Sequence, residues 1–97
     1  MPLCQSMDEV RANIDRLDRE ILRLMAERGT YVAEAGRLKP KVTDVVDQPR
    51  IEQVVANARA LAEQHGLDPA VAEATYRAMI DAFIAMEHKV FMAKAAG

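Results

Sequence analysis

Two cations stand where the sequence pattern calls for apolar side chains. From Asp8 to about Lys39 the apolar residues recur at steps of three and four: Val10, Ile14, Leu17, Ile21, Leu24, Met25, Tyr31, Val32, Ala35 and Leu38. That is the helix period, not the strand period. With Ile14 at zero on a wheel of about 100° per residue, the apolar stripe runs from roughly 260° through zero to about 20°. Arg16, Arg19, Arg23, Glu27, Glu34 and Arg37 fall on the far side. Arg28, at about 320°, and Lys39, at about 340°, fall inside the stripe. An unpaired buried charge costs several kcal/mol or more, so each needs an anion. A spacing of eleven residues puts the two on one face, about 16 Å apart along the axis, where both long side chains can reach a ligand between them. The competing reading is that each snorkels to water or pairs with an acid from another helix.

Three further residues extend the pattern. Arg50 sits in the first turn of a second helix, where free backbone N–H groups and the helix dipole favour an anion rather than a cation. It either serves a ligand or pairs with Asp47 at the surface. Glu87 has Phe83, Ile84, Val90 and Phe91 as helical neighbours, with Ile80 two turns back. Such surroundings desolvate a carboxylate and favour its neutral, proton-donating form, whereas a nearby cation pushes the other way. Its competing role is a glutamate at a core margin reaching Lys94 or another chain. Arg11 lies at the stripe's edge, near 60°, and about 25 Å from Arg28 on the same helix. It can share a small ligand with Arg28 only if the first helices of two chains pack antiparallel; alone, it reads as a surface residue.

Composition narrows the chemistry. The 97 residues carry a formal charge of −2, which gives no sign of a nucleic-acid binder or a basic membrane-surface domain. Cys4 is the only cysteine, which excludes an internal disulfide framework and a cysteine-based zinc site. His65 and His88 are too far apart for a short metal-ligand motif, and no phosphate-binding glycine loop is present. Covalent catalysis has no serine–histidine–acid or cysteine–histidine candidate. No cofactor or metal is expected. The first residues lack the apolar run of a signal peptide, and no segment is apolar enough to span a bilayer, so the expected location is the cytoplasm.

The elements that must position these residues are all helices. Residues 1–7 read as a short leader, with Ser6 and Glu9 at capping-box spacing. The first helix then runs to Pro40, roughly 45 Å at 1.5 Å per residue. A loop over 40–48 leads to a second helix that starts near Pro49 and ends at Gly66. Asp68 and Pro69 open a third helix that reaches about Met92, with the last residues expected to fray. The fold class is all-α, three helices in long–short–long order, as a single domain over 1–97. So long a first helix cannot bury its stripe on the rest of one chain, so a homodimer is expected.

Taken together, these positions resemble the all-helical chorismate mutases, which form intertwined dimers, and their relative isochorismate pyruvate lyase. The resemblance covers about residues 8 to 92. It rests on the runs "RANIDRLDREILRLMAERGTYVAEAGRLK", "VDQPRIEQV", "HGLDP" and "RAMIDAFIAMEHKVF". It implies that Arg28, together with Arg11 donated by the partner chain, binds the two carboxylates of a small dicarboxylate substrate, assisted by Arg50. It implies that Lys39 contacts the ether oxygen and a carboxylate, that Glu87 is directed at the same oxygen, and that Asp47 contacts the substrate hydroxyl. Arg28, Lys39 and Glu87 would then be the catalytic set.

Three features depart from the mutase pattern. Ile51 stands where mutases often have a glutamate for the hydroxyl, and Phe83 stands where some have a serine. The loop from Lys39 to Arg50, with its "P-R-I" end, looks lyase-like, yet Glu87 replaces the glutamine expected of a lyase. The reading is a chorismate mutase, with the lyase as its alternative. A non-catalytic helical dimerisation or regulatory module is the alternative of another class; inward-facing cations speak against it, because apolar residues would make a more stable dimer core.

Overall fold

The computed structural model describes residues 3–97; Met1 and Pro2, the start of the expected leader, lie outside the described residues. Helix α1 spans Met7–Leu38, a short 3₁₀ turn spans Val42–Asp44, α2 spans Gln48–Gln64 and α3 spans Pro69–Ala96. The described residues contain no strand. The all-α, long–short–long expectation therefore holds.

The ends follow the sequence signals. The Ser6 hydroxyl accepts from the Glu9 N–H at 3.2 Å, as an N-cap does. The carboxylate of Glu9 turns back to the N–H of Gln5, at 2.8 Å, one residue earlier than a capping box would place it. Gly66 ends α2 with φ of 73°, a left-handed conformation that side chains resist. The Asp68 carboxylate accepts from the Ala70 N–H at 2.9 Å and Pro69 follows, which starts α3. One boundary differs from the expectation. The third helix continues past Met92 to Ala96. Ala93, Lys94, Ala95 and Ala96 are all strong helix formers, so the end costs little to hold.

The chain divides into two compact units, Met1–Tyr31 and Val32–Gly97, and the division falls inside α1. The first unit is essentially helix. Ile14, Leu17, Ile21 and Leu24, the centre of its apolar stripe, keep 50, 47, 53 and 53% of their surface exposed.

In the second unit α2 packs along α3. Its core is thin and built of small residues. Ala58 and Ala62 of α2 meet Ala72 of α3, with Tyr76 packed against them, while Val45, Val55, Ile80 and Phe91 are also buried. Small side chains at the seam let the two helices approach closely. On the exposed flank, Arg77 of α3 grips Glu52 of α2 with two hydrogen bonds, at 2.9 and 3.0 Å, and Glu73 at 2.8 Å. Arg59 of α2 completes this bridge to Glu73 at 2.7 Å. The Arg77 hydrogen bonds hold the carboxyls of Glu52 and Glu73 below the ordinary range, with Arg59 adding to the effect on Glu73. The same bonds raise the Arg77 guanidinium further above its already high value.

Candidate active site

The end of α1 and the middle of α3 bring two of the expected residues together. The Lys39 ammonium donates to Oε2 of Glu87 at 2.6 Å, across 48 residues of sequence. The Glu87 side chain is 8% exposed and the Lys39 side chain 29%. Glu87 is the only buried polar or charged residue among the described residues. The need for an anion deduced for Lys39 is thus met by an acid of another helix, and that acid is itself a candidate site residue. The other role considered for Glu87, pairing with Lys94, is not what it does.

This pair depends on a glycine. Gly36 is the one buried residue of α1. A Cβ placed there would lie 3.0 Å from the backbone oxygen of Glu87, 3.2 Å from its Cγ and 3.3 Å from Cβ of Val90. The missing side chain lets α1 close on the turn of α3 that carries Glu87. Sequence reasoning passed over Gly36; an isolated glycine inside a strong helical pattern was the available signal.

Lys39 follows directly on α1, and its N–H still bonds to Ala35 at 3.0 Å, so the helical path carries its side chain to α3. An ammonium has three N–H donors, and Glu87 takes one. With its partial exposure, the Lys39 amine retains donors for an anion or an ether oxygen. A desolvated ion pair of this kind adds little net stability compared with packed apolar side chains. What it supplies is a cation and an acceptor fixed against one another in an apolar setting, where charge acts more strongly than in water.

The remaining expected residues divide between the two units. In the first, Arg11 is exposed and Arg28 is half-buried. In the second, Asp47 is the N-cap of α2, and its Oδ1 accepts from the Arg50 N–H at 3.1 Å. The Arg50 guanidinium bonds instead to Oε1 of Gln53 at 2.7 Å. The surface pairing considered for Arg50 and Asp47 is therefore a backbone cap, not an ion pair. Ile51 and Phe83 are half-buried. An apolar groove of about 370 Å³ between α2 and α3, lined by Ala58, Leu61, Leu67, Val71 and Tyr76 among others, includes none of the expected site residues. Among the described residues no helix is long and apolar enough to cross a membrane.

The family model described as chorismate mutase type II matches residues 10–88. The chain is similar to the isochorismate pyruvate lyase of Pseudomonas aeruginosa, with 28% identity over 86 residues, which cover 89% of this chain and 85% of that protein. It is also similar to the chorismate mutase of Methanocaldococcus jannaschii, with 24% identity over 80 residues, covering 81% of each. The matched span runs from the second turn of α1 past Glu87, through both partners of the central ion pair, and the chain belongs to the chorismate mutase type II family.

Proposed function

We propose that this protein is a chorismate mutase that rearranges chorismate to prephenate in a cationic pocket, and that Lys39 and Glu87 are its polar centre. The observation that carries the reading is the Lys39–Glu87 contact of 2.6 Å, nearly buried on the Glu87 side, in a chain of this family. The rearrangement is a single step in which one carbon–oxygen bond breaks as a carbon–carbon bond forms within the same molecule. It needs no nucleophile and, as proposed, no metal or cofactor. The protein's work is to hold a flexible dianion in a compact reactive shape and to stabilise charge that gathers on the ether oxygen.

Lys39 donates to the ether oxygen and to a carboxylate, and Glu87 faces the same oxygen while holding the Lys39 amine. Arg28 and Arg11 bind the two carboxylates with help from Arg50, and Asp47 meets the hydroxyl at the start of α2. Ile51 and Phe83 supply apolar wall. Arg11 comes from a second copy of the chain. The half-exposed stripe of Ile14, Leu17, Ile21 and Leu24 supports that arrangement, since a contiguous apolar face of this kind marks an interaction surface. Residues 1–97 act as one domain, because the family match crosses from one compact unit into the other. The partners are the small dicarboxylate and the second copy, not a nucleic acid or a membrane, and the cytoplasm is the proposed location.

A second reading is an isochorismate pyruvate lyase, which would release pyruvate and leave salicylate. The relative of that name, at 28% identity, favours it, as does the loop from Lys39 to Arg50 with its "P-R-I" end. Glu87, where the resemblance implies glutamine for the lyase, weighs against it. Offering the purified protein chorismate and isochorismate separately decides between them. Loss of chorismate absorbance with prephenate formed supports the mutase; salicylate fluorescence from isochorismate alone replaces it with the lyase. Neither product leaves a non-catalytic helical module.

A further inference from the structure

The proposed active amine is held from its backbone side as well as from its tip. Lys94 of α3 donates to the backbone oxygens of Arg37, at 3.0 Å, and of Lys39, at 2.7 Å. Its Nζ lies 4.4 Å from the centre of the Phe91 ring, and Phe91 is buried. We propose that Lys94 is a positioning residue for the Lys39 amine, fixing the end of α1 on α3 at the register where that amine meets Glu87. The proposal rests on the role given above to Lys39.

The last carbonyls of a helix have no partner within it, and they carry the negative end of its dipole. A cation from the helix's own last turn can serve there. Arg37 stands in that turn, but its guanidinium is committed to Glu34, at 3.0 and 2.6 Å. The cap comes instead from another helix, 57 and 55 residues away in sequence. A cap from the same helix would satisfy the carbonyls and leave the helix end free to shift; one from α3 fixes where that end lies.

The geometry on α3 makes this a two-point hold. Glu87 and Lys94 are seven residues apart, about 10.5 Å along the helix and on the same face, with Phe91 between them. Glu87 takes the Lys39 ammonium, and Lys94 takes the Lys39 carbonyl. Phe91 beneath the Lys94 amine restrains a side chain that would otherwise sample many rotamers. Both ends of Lys39 are therefore referenced to one rigid element, which is how a catalytic donor is kept within the narrow tolerance its reaction requires.

The test uses the full chain with Lys94→Met, which keeps the stem and removes the donors, and Lys94→Arg, which keeps a donor and the charge. Steady-state turnover of chorismate is measured where circular dichroism shows every variant helical. The Lys39 ammonium is followed by ¹H–¹⁵N spectroscopy, its signal assigned by loss in Lys39→Ala. Lys94→Met is expected to lower kcat by about tenfold or more with KM changed by less than about threefold, because the arginines that bind the carboxylates are untouched and only the carboxylate contact from Lys39 is loosened. The Lys39 signal broadens away in the same variant, and Lys94→Arg restores both readouts. A cap of purely structural value lowers the melting temperature while leaving kcat and the Lys39 signal at parent values; either readout staying there overturns the proposal. If Lys94→Met does not fold, Lys94→Ala, which also lacks a donor and favours the helix, is read in the same two ways. A parent that does not turn over chorismate sinks the functional reading, and the Lys39 signal alone then upholds or overturns the positioning claim.

Discussion

Replacing Gly36 by alanine tests whether the approach of α1 to α3 sets the site. Two opposing effects can be compared. Alanine in place of glycine inside a helix is worth about 1 kcal/mol in favour of folding. Against it, the new Cβ would sit 3.0 Å from the Glu87 backbone oxygen, 3.2 Å from Glu87 Cγ and 3.3 Å from Val90 Cβ. Ordinary contact begins at 3.4 Å, so the oxygen must retreat by about 0.4 Å. That oxygen is backbone and cannot swing aside as a flexible side chain would. Overpacking of this kind costs typically 1–3 kcal/mol, or about 2, which leaves a net loss of about 1 kcal/mol. For a chain of this size that is about 5 °C in melting temperature. A displacement of 1 Å at a catalytic group costs on the order of 100-fold, so 0.4 Å corresponds to a drop in kcat of about sixfold. Thermal melts followed by circular dichroism and initial rates of chorismate loss read the two quantities. A variant that melts higher than the parent and turns over chorismate at the parent rate would refute the reasoning, because the glycine would then have been carrying no close contact.

Other consequences are as direct. Glu87→Gln keeps an oxygen that accepts from Lys39 and gains an amide donor for the ether oxygen, so activity stays within about tenfold of the parent, whereas Glu87→Ala falls well below that; initial rates of the two variants check the order. Mixing unfolded Arg11→Ala and Lys39→Ala chains and refolding them together restores about a quarter of parent activity, since half the dimers are hybrids with one intact site each, while either variant alone stays inactive. Glu52 and Glu73 have carboxyls held below the ordinary carboxyl range by hydrogen bonds from Arg77. Their contribution to stability is therefore present above about pH 4.5 and is lost as pH falls through their lower folded values. Urea midpoints taken from pH 7 down to pH 3, on the order of the range that spans those carboxyls, should fall less steeply in Arg77→Met than in the parent, and the difference should shrink in high salt.

Much of the architecture could be read from residue order because each boundary has a local cause. Ser6, Gly66, Asp68 and Pro69 act within a turn of themselves, and the helical period of α1 needs no distant information. The site was legible in part. Lys39 and Glu87 each stood out as a charge in an apolar setting, but a contact across 48 residues depends on how two helices approach, and Gly36 decides that. The surface pairing considered between Arg50 and Asp47 takes another form for a more local reason. Its backbone N–H takes the Asp47 carboxylate as a cap, and the guanidinium goes one turn on to Gln53. Lys94 was considered only as a partner for Glu87, because carbonyls at a helix end are the same for every sequence and leave no mark on residue type.

The central claim is that an amine set against a nearly buried carboxylate does the work on a dianionic substrate. Turnover of chorismate by the parent and by Lys39→Ala, both checked for helical content, tests it most directly. The account predicts prephenate from the parent and a loss of about a hundred- to a thousandfold in the variant, the size expected when a preorganised donor to a developing oxyanion is removed. Equal rates in the two proteins, or no prephenate from either, would contradict it.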